Sequence, residues 1–292
     1  SQAAGKAQNL TVGILIVSLV LFGIRGAFDV DLPMLFGQEL MPKGLGAVAA
    51  GTATLFVTYC GFGEIASMAE EVRQPGKTLP RALLYSVAFV TVLYCVLLFV
   101  CVGQRPWGEL SGSTLVADLA EDMMGRWGRG VILCGAIMAM LSATNASIMS
   151  AARISFAMGR DQLVWSWMNA VHPRFRVPHI AILATGGLIT ATILIQNVEL
   201  LAEAAGLLHL LLYGLICVAC IILRSARQEG YNPAYKVPLY PVVPVLGAVG
   251  CFTVAFFMRP VIFAGGIAVI AFAVVHYYWW GHRRTALTGA WP

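Results

Sequence analysis

The chain has 292 residues, of which 59% are hydrophobic and only 11% are charged, and its mean hydropathy is +0.80. Soluble domains usually carry about 25% charged residues, so this composition excludes a soluble enzyme, a disordered tail and a nucleic-acid-binding protein. The net charge of +5 comes from 19 basic residues spread along the chain, which is typical of the loop bias that orients membrane proteins. We therefore expect an all-α polytopic membrane protein that contacts the lipid bilayer and has no nucleic-acid partner.

Apolar runs recur along the whole chain at lengths that suit a bilayer. We predict about eight transmembrane helices, at residues 10–28, 45–67, 81–103, 130–152, 179–196, 200–223, 241–258 and 260–281. Basic residues concentrate in alternate connections and at both ends of the chain. The positive-inside bias therefore predicts that both termini of this chain lie in the cytoplasm, and we expect a multi-pass protein of the plasma membrane.

The second predicted span is interrupted by glycine. Gly61 and Gly63 lie two residues apart within an apolar run, next to Glu64. Glycine weakens the helical hydrogen-bond ladder, and broken helices form substrate and ion sites in secondary transporters. The alternative is that the two glycines only allow close helix packing. Glu64 is a candidate for ion coupling or gating, with a structural acid near the inner interface as the alternative.

Two features follow later in the chain. Residues 113–124 predict a short amphipathic helix on the outer face, and the fourth span then carries Ser142, Thr144 and Asn145. Polar groups inside a span need partners, so these three are candidates for ion coupling. The alternative is that the hydroxyl groups bond back to carbonyls of their own helix.

The sixth span contains two further features that invite a chemical interpretation. His209 lies between leucines and is a candidate for proton coupling, because histidine titrates near neutral pH, although a structural role is the alternative. Cys217 and Cys220 form a CxxC pair, but no polar residues surround them, so we interpret them as small apolar residues rather than a metal or redox site.

Three stretches in the order of one known family give the sequence a recognisable pattern. They are Gly61-Phe62 with Ala69-Glu70-Glu71-Val72, Pro75 and Leu79-Pro80-Arg81-Ala82; then Ser150–Arg153, Ala157–Asp161 and Val171–Pro178; and finally Tyr235–Pro241 with Pro244. Together they resemble the amino acid–polyamine–organocation (APC) superfamily of amino acid permeases. The resemblance covers about 230 residues of the chain.

The resemblance implies a fold. Members of the superfamily usually have twelve helices, the first ten of which form two inverted repeats of five. The spans of this chain then correspond to helices five to twelve, with residues 45–223 as the complete second repeat and 241–292 as two accessory helices. Because the chain begins with Ser1 and four helices of the first repeat have no counterpart, we expect a C-terminal fragment whose site is completed by N-terminal helices.

The resemblance also implies roles for the interrupted span. In the superfamily, the interruptions of helices one and six hold the amino and carboxyl groups of the substrate with backbone atoms. The sixth-helix part corresponds to Thr58, Tyr59, Cys60, Gly61 and Phe62, and Tyr59 or Phe56 is a candidate aromatic gate. Gly61 permits close approach of a ligand to the backbone.

The resemblance leaves the coupling ion open between sodium and the proton. In sodium-coupled relatives, hydroxyl groups of the eighth helix help to bind the ion, and Ser142 and Thr144 lie on the corresponding span. Some sodium-independent relatives place a lysine in the fifth helix, but residues 12–18 contain none, and Ser18 is their only polar side chain. We expect no other cofactor and no metal site.

Three functional hypotheses follow. The first is a secondary transporter that moves amino acids or related amines by alternating access. The second is a truncated or non-transporting membrane subunit with a structural or regulatory role. The third, an intramembrane enzyme, is disfavoured because the chain has no HExxH or GxSxG motif and no pair of aspartates within a span.

Overall fold

The computed structural model describes residues 2–37, 43–67, 69, 72–110, 112, 114–174, 177–194, 196–226 and 233–281. Throughout this part of the chain the regular structure is helical, without strands. The helices are α1 (Gln2–Ala27), α2 (Leu32–Gly37), α3 (Gly44–Leu55), α4 (Phe62–Ser67), α5 (Pro75–Gln104), α6 (Leu115–Arg160), α7 (His179–Ile193), α8 (Val198–Ser225), α9 (Val242–Phe256) and α10 (Pro260–His276). Glu70, Glu71, Ser113, residues 175–176 and the tail 282–292, which entered the sequence predictions, lie outside the described residues.

Six segments of the described chain are long and apolar enough to cross a membrane. They are Asn9–Ala27, Gly44–Ser67, Pro75–Gln104, Leu115–Arg160, Val198–Ser225 and Pro260–Trp280. The prediction of an all-α polytopic membrane protein is therefore confirmed. The other two predicted spans, α7 and α9, are apolar but have only 15 residues each, or about 22 Å at 1.5 Å per residue. Each begins immediately after a proline, Pro178 or Pro241, which bounds the helix at that end.

The predicted amphipathic helix and the fourth span meet at Gly125. They form one long element, α6, but Gly125 has φ 68° and ψ −167°, a backbone conformation essentially restricted to glycine. Glycine at this position therefore separates the amphipathic segment from the membrane-spanning part of α6.

The chain divides into two compact units, and each has its own apolar core. The first unit comprises residues 1–42 and 82–147. Its buried side chains come from α1, α5 and α6, with Phe22 and Val100 completely inaccessible. Close packing depends on Gly26, because a Cβ atom there would lie 2.3 Å from Val100.

The second unit comprises residues 43–81 and 148–292. Its core is formed where α3, α8, α9 and α10 meet, around Ala53, Leu207, Leu210, Met258 and Ile262. α8 is central to this unit because it packs against the other three helices. The outer faces carry exposed large apolar side chains, as expected for helices that contact lipid.

Candidate functional site

The interrupted span is the most distinctive feature of the second unit. α3 ends at Leu55, a 3₁₀ turn follows at Phe56–Tyr59, Cys60 and Gly61 form a turn, and α4 starts at Phe62. The local cause is visible in the hydrogen bonds. The amide of Cys60 donates to the carbonyl of Val57, three residues back, at 3.2 Å, which is the tighter spacing of a 3₁₀ helix. The span therefore departs from the regular α-helix at residues 56–61, beside Gly61, while the role of this interruption in a substrate site stays a prediction.

Gly61 itself is exposed, and a Cβ atom placed on it would meet no other atom within 4 Å. Gly63 is half-buried, and a Cβ atom on it would also meet no other atom within 4 Å. These two glycines do not serve close packing of this span against its neighbours within the described residues. The close approach is instead made by Gly206 of α8, where a Cβ atom would lie 3.4 Å from the carbonyl oxygen of Ala53.

Tyr213 of α8 contacts the interruption through a hydrogen bond. Its hydroxyl group donates a hydrogen bond of 2.9 Å to the carbonyl oxygen of Cys60. One side chain of α8 therefore contacts the backbone of the turn that separates the 3₁₀ segment from α4. Sequence reasoning missed Tyr213, although a polar aromatic residue four positions after His209 in an apolar helix was a usable signal.

Aromatic rings surround this contact. Phe56 meets Tyr213 edge to face at 5.9 Å between ring centroids, and His209 meets Tyr213 in the same way at 5.9 Å. The Nδ1 atom of His209 lies 2.8 Å from the carbonyl oxygen of Ala205, one turn earlier in α8. Tyr59 and Phe62, on either side of the turn, have ring centroids 6.3 Å apart.

The remaining candidates lie in three places. Glu64 is half-buried on α4, and its backbone carbonyl accepts a hydrogen bond from Ser67, whose hydroxyl group also contacts that of Ser150 at 3.1 Å. Thr58 is exposed and bonds back to the carbonyl of Leu55 at 2.7 Å. The polar residues of α6 belong to the first unit: Ser142 is half-buried, and Thr144 and Asn145 are exposed.

A charged pair lies near the beginning of α8. Glu203 is 7% exposed, and both of its carboxylate oxygens accept hydrogen bonds of 2.6 Å from the guanidinium group of Arg259. The hydrogen bond with Glu203 raises the pKa of Arg259 above its usual value. This bidentate pair connects the beginning of α8 to the short connection between α9 and α10. Among the described residues, no group of three or more His, Cys, Asp or Glu side chains is arranged to hold a metal ion.

The apolar helices, the six segments of spanning length and the interrupted helix define a multi-pass helical membrane protein. Residues 2–280 match the family described as amino acid permease. The chain belongs to this amino acid permease family of the APC superfamily. The family is one of permeases and not of enzymes.

Several curated transporters resemble the chain. A branched-chain amino acid permease of Bacillus subtilis (strain 168) is 32% identical over 73% of this chain and 46% of its own length. A serine/threonine exchanger of the same organism is 32% identical over 86% of this chain and 58% of its own length. A methylthioribose transporter is 28% identical over 86% and 54%, respectively. The chain spans about half the length of these curated relatives.

Proposed function

We propose that the chain forms part of a secondary active transporter that moves amino acids or related amines across the plasma membrane by alternating access. The observation that carries the proposal is the interruption at residues 56–61, where the helix leaves its regular hydrogen bonding next to the exposed Gly61. Polar backbone groups at membrane depth need partners, and a broken helix supplies them to a ligand. The relatives' names support an amino acid or a related small molecule as substrate.

The backbone around Gly61 offers both kinds of partner that an amino acid requires. Carbonyl oxygens at the end of the 3₁₀ turn suit an ammonium group, and the amide groups at the start of α4 suit a carboxylate. Phe56, Thr58, Tyr59, Cys60, Gly61 and Phe62 form this wall of the proposed site. Helices that precede these residues in the family contribute the opposite wall, so the test requires the full-length protein that contains this chain.

Substitution of Gly61 tests the site. The full-length protein is reconstituted in proteoliposomes and assayed for uptake of a panel of labelled amino acids. Gly61→Leu is expected to abolish uptake while leaving expression and thermal stability unchanged, because the added side chain meets no protein atom but fills the ligand space. Gly51→Leu is the matched control, since Gly51 is also exposed on the same span with no atom within 4 Å. Normal uptake by Gly61→Leu would refute the site.

The coupling ion is tested in the same vesicles. We propose sodium or the proton, with Ser142, Thr144 and Asn145 as oxygen ligands for sodium and Glu64 or His209 as proton carriers. A sodium gradient that drives uptake, with loss of that effect in Ser142→Ala, supports the first assignment. A pH gradient that drives uptake, with loss in Glu64→Gln or His209→Gln, supports the second. The contact of His209 with the Ala205 carbonyl favours a structural role for this histidine.

A second candidate function is a non-transporting structural or regulatory subunit. The chain spans about half the length of each relative, and the test therefore uses the full-length protein. Vesicles that contain the full-length protein and vesicles that contain residues 1–292 alone separate the two functions. Saturable uptake by the full-length protein supports the transporter, whereas its absence with every amino acid tested supports the subunit. Orientation is tested by labelling of the termini in sealed cells, where we expect both termini of this chain to be cytoplasmic.

A further inference from the structure

Tyr213 contacts the broken helix in a way that the transport proposal does not yet use. Its hydroxyl group donates to the Cys60 carbonyl at 2.9 Å. Cys60 belongs to the turn that separates the 3₁₀ segment from α4. An oxygen atom from α8 therefore holds a backbone carbonyl within the turn between the two halves of the interrupted span.

We propose that Tyr213 is a positioning residue of the substrate site, which sets the direction of the Cys60 carbonyl and thereby the orientation of the backbone at the interruption. The proposal rests on the transport function proposed above, because it assigns a role to Tyr213 within that site. Tyr213 acts through the backbone of Cys60 and the start of α4 rather than by contact with the substrate.

The surroundings of Tyr213 fix its ring before the hydroxyl group makes its bond. Phe56 packs edge to face on one part of the ring, and His209 packs on another, each at 5.9 Å. His209 is held in turn by its 2.8 Å contact with the Ala205 carbonyl. Residues at positions i and i+4 share one face of a helix, so Ala205, His209 and Tyr213 form a continuous row on α8.

The register of α8 against the span places the hydroxyl group where it is needed. Gly206 lies against the carbonyl of Ala53, and Tyr213 reaches the carbonyl of Cys60, so both contacts are separated by seven residues on each segment. Because hydrogen bonds are strong in a low-dielectric interior, this bond keeps the Cys60 carbonyl turned towards α8. The neighbouring backbone groups at Gly61 then remain for a ligand.

The test removes only the hydroxyl group. Tyr213→Phe keeps the ring and its packing against Phe56 and His209, so the variant is expected to fold. Tyr85→Phe is the matched control, because Tyr85 is 74% exposed on α5. In reconstituted full-length protein, Tyr213→Phe is expected to raise KM about tenfold and to leave Vmax within about twofold. The reason is that the Cys60 carbonyl loses its partner and the backbone that binds the substrate loses its orientation. The control is expected to keep both constants.

A second measurement does not depend on transport. In a variant whose cysteine at position 60 is the sole remaining thiol, the rate of labelling by a membrane-permeant maleimide reports the order of the interruption. Tyr213→Phe is expected to increase that rate at least about threefold, because loss of a hydrogen bond frees the segment to open locally. An unchanged labelling rate, or a KM increase limited to substrates of one side-chain type, would overturn positioning and indicate no role or direct substrate contact.

The two measurements also separate this inference from the transport proposal. If the unmodified protein takes up no amino acid but Tyr213→Phe still accelerates labelling of Cys60, the transport function fails and the role of Tyr213 in ordering the Cys60 backbone stands. If the unmodified protein transports and Tyr213→Phe leaves KM and labelling unchanged, the transport function stands and the positioning role fails.

Discussion

Two adjacent glycines of α10 offer a stringent test of the packing behind the site. A Cβ atom on Gly266 would lie 2.5 Å from Cδ2 and 3.3 Å from Cγ of Leu207, whereas one on the exposed Gly265 would meet no atom within 4 Å. Leu207 is 1% exposed and packed among other core side chains, so it has little room to move. Both alanine substitutions gain the same helix propensity of about 1 kcal/mol.

The difference in stability between the two variants therefore isolates the clash. Overpacking in a well-packed core costs about 1–3 kcal/mol. We expect Gly266→Ala to be about 2 kcal/mol less stable than Gly265→Ala, which corresponds to a midpoint of thermal unfolding about 2–3 °C lower for a chain of this length or longer. The assay is thermal unfolding of the full-length protein in detergent. Leu207→Ala is expected to lower the free energy of unfolding less in the Gly266→Ala background than in the unmodified protein, because the smaller side chain relieves the clash. Equal midpoints for the two glycine variants would refute the α8–α10 packing.

Two further predictions concern the charged pair and the bend in α6. Arg259→Gln leaves the buried carboxylate of Glu203 without its partner, whereas Glu203→Gln leaves a half-exposed guanidinium group in contact with water. Arg259→Gln should therefore lower the midpoint of thermal unfolding more than Glu203→Gln. The reverse order would contradict the burial of Glu203. Gly125→Ala should destabilise the protein by about 1–3 kcal/mol because residue 125 has a positive φ. Gly130→Ala is the control and should not destabilise the protein, because a Cβ atom at residue 130 meets open space. Equal stability of the two variants would count against the bend.

Local sequence signals predicted much of the fold. Apolar runs identified the six spanning segments of the described residues, and the glycines at 61 and 63 predicted the interruption. Both signals depend on neighbours within one or two helical turns. The short length of α7 and α9 was harder to anticipate. Their apolar runs continue past the helix ends, and only the backbone shows that α7 stops at Ile193 and α9 at Phe256.

The contacts that organise the candidate site could not be predicted in this way. Cys60 and Tyr213 are 153 residues apart in sequence, and nothing in either local stretch specifies the other. The buried pair of Glu203 and Arg259 is likewise non-local, since its members are 56 residues apart in sequence. Such pairs depend on which helices pack together and in which register, whereas the sequence patterns report only the face and the length of each helix.

The role of α8 follows from the positions of its small and polar residues. Gly206 admits the carbonyl of Ala53 before the interruption, Leu207 is enclosed against α10 at Gly266, and Tyr213 reaches the interruption two turns further on. The contacts of Gly206 and Tyr213 with the span are seven residues apart on both segments, so α8 and the span stay in step through the 3₁₀ turn. The bond from Tyr213 therefore holds the Cys60 carbonyl where the span leaves the regular α-helix, while the apolar contacts before it fix the register of the two helices.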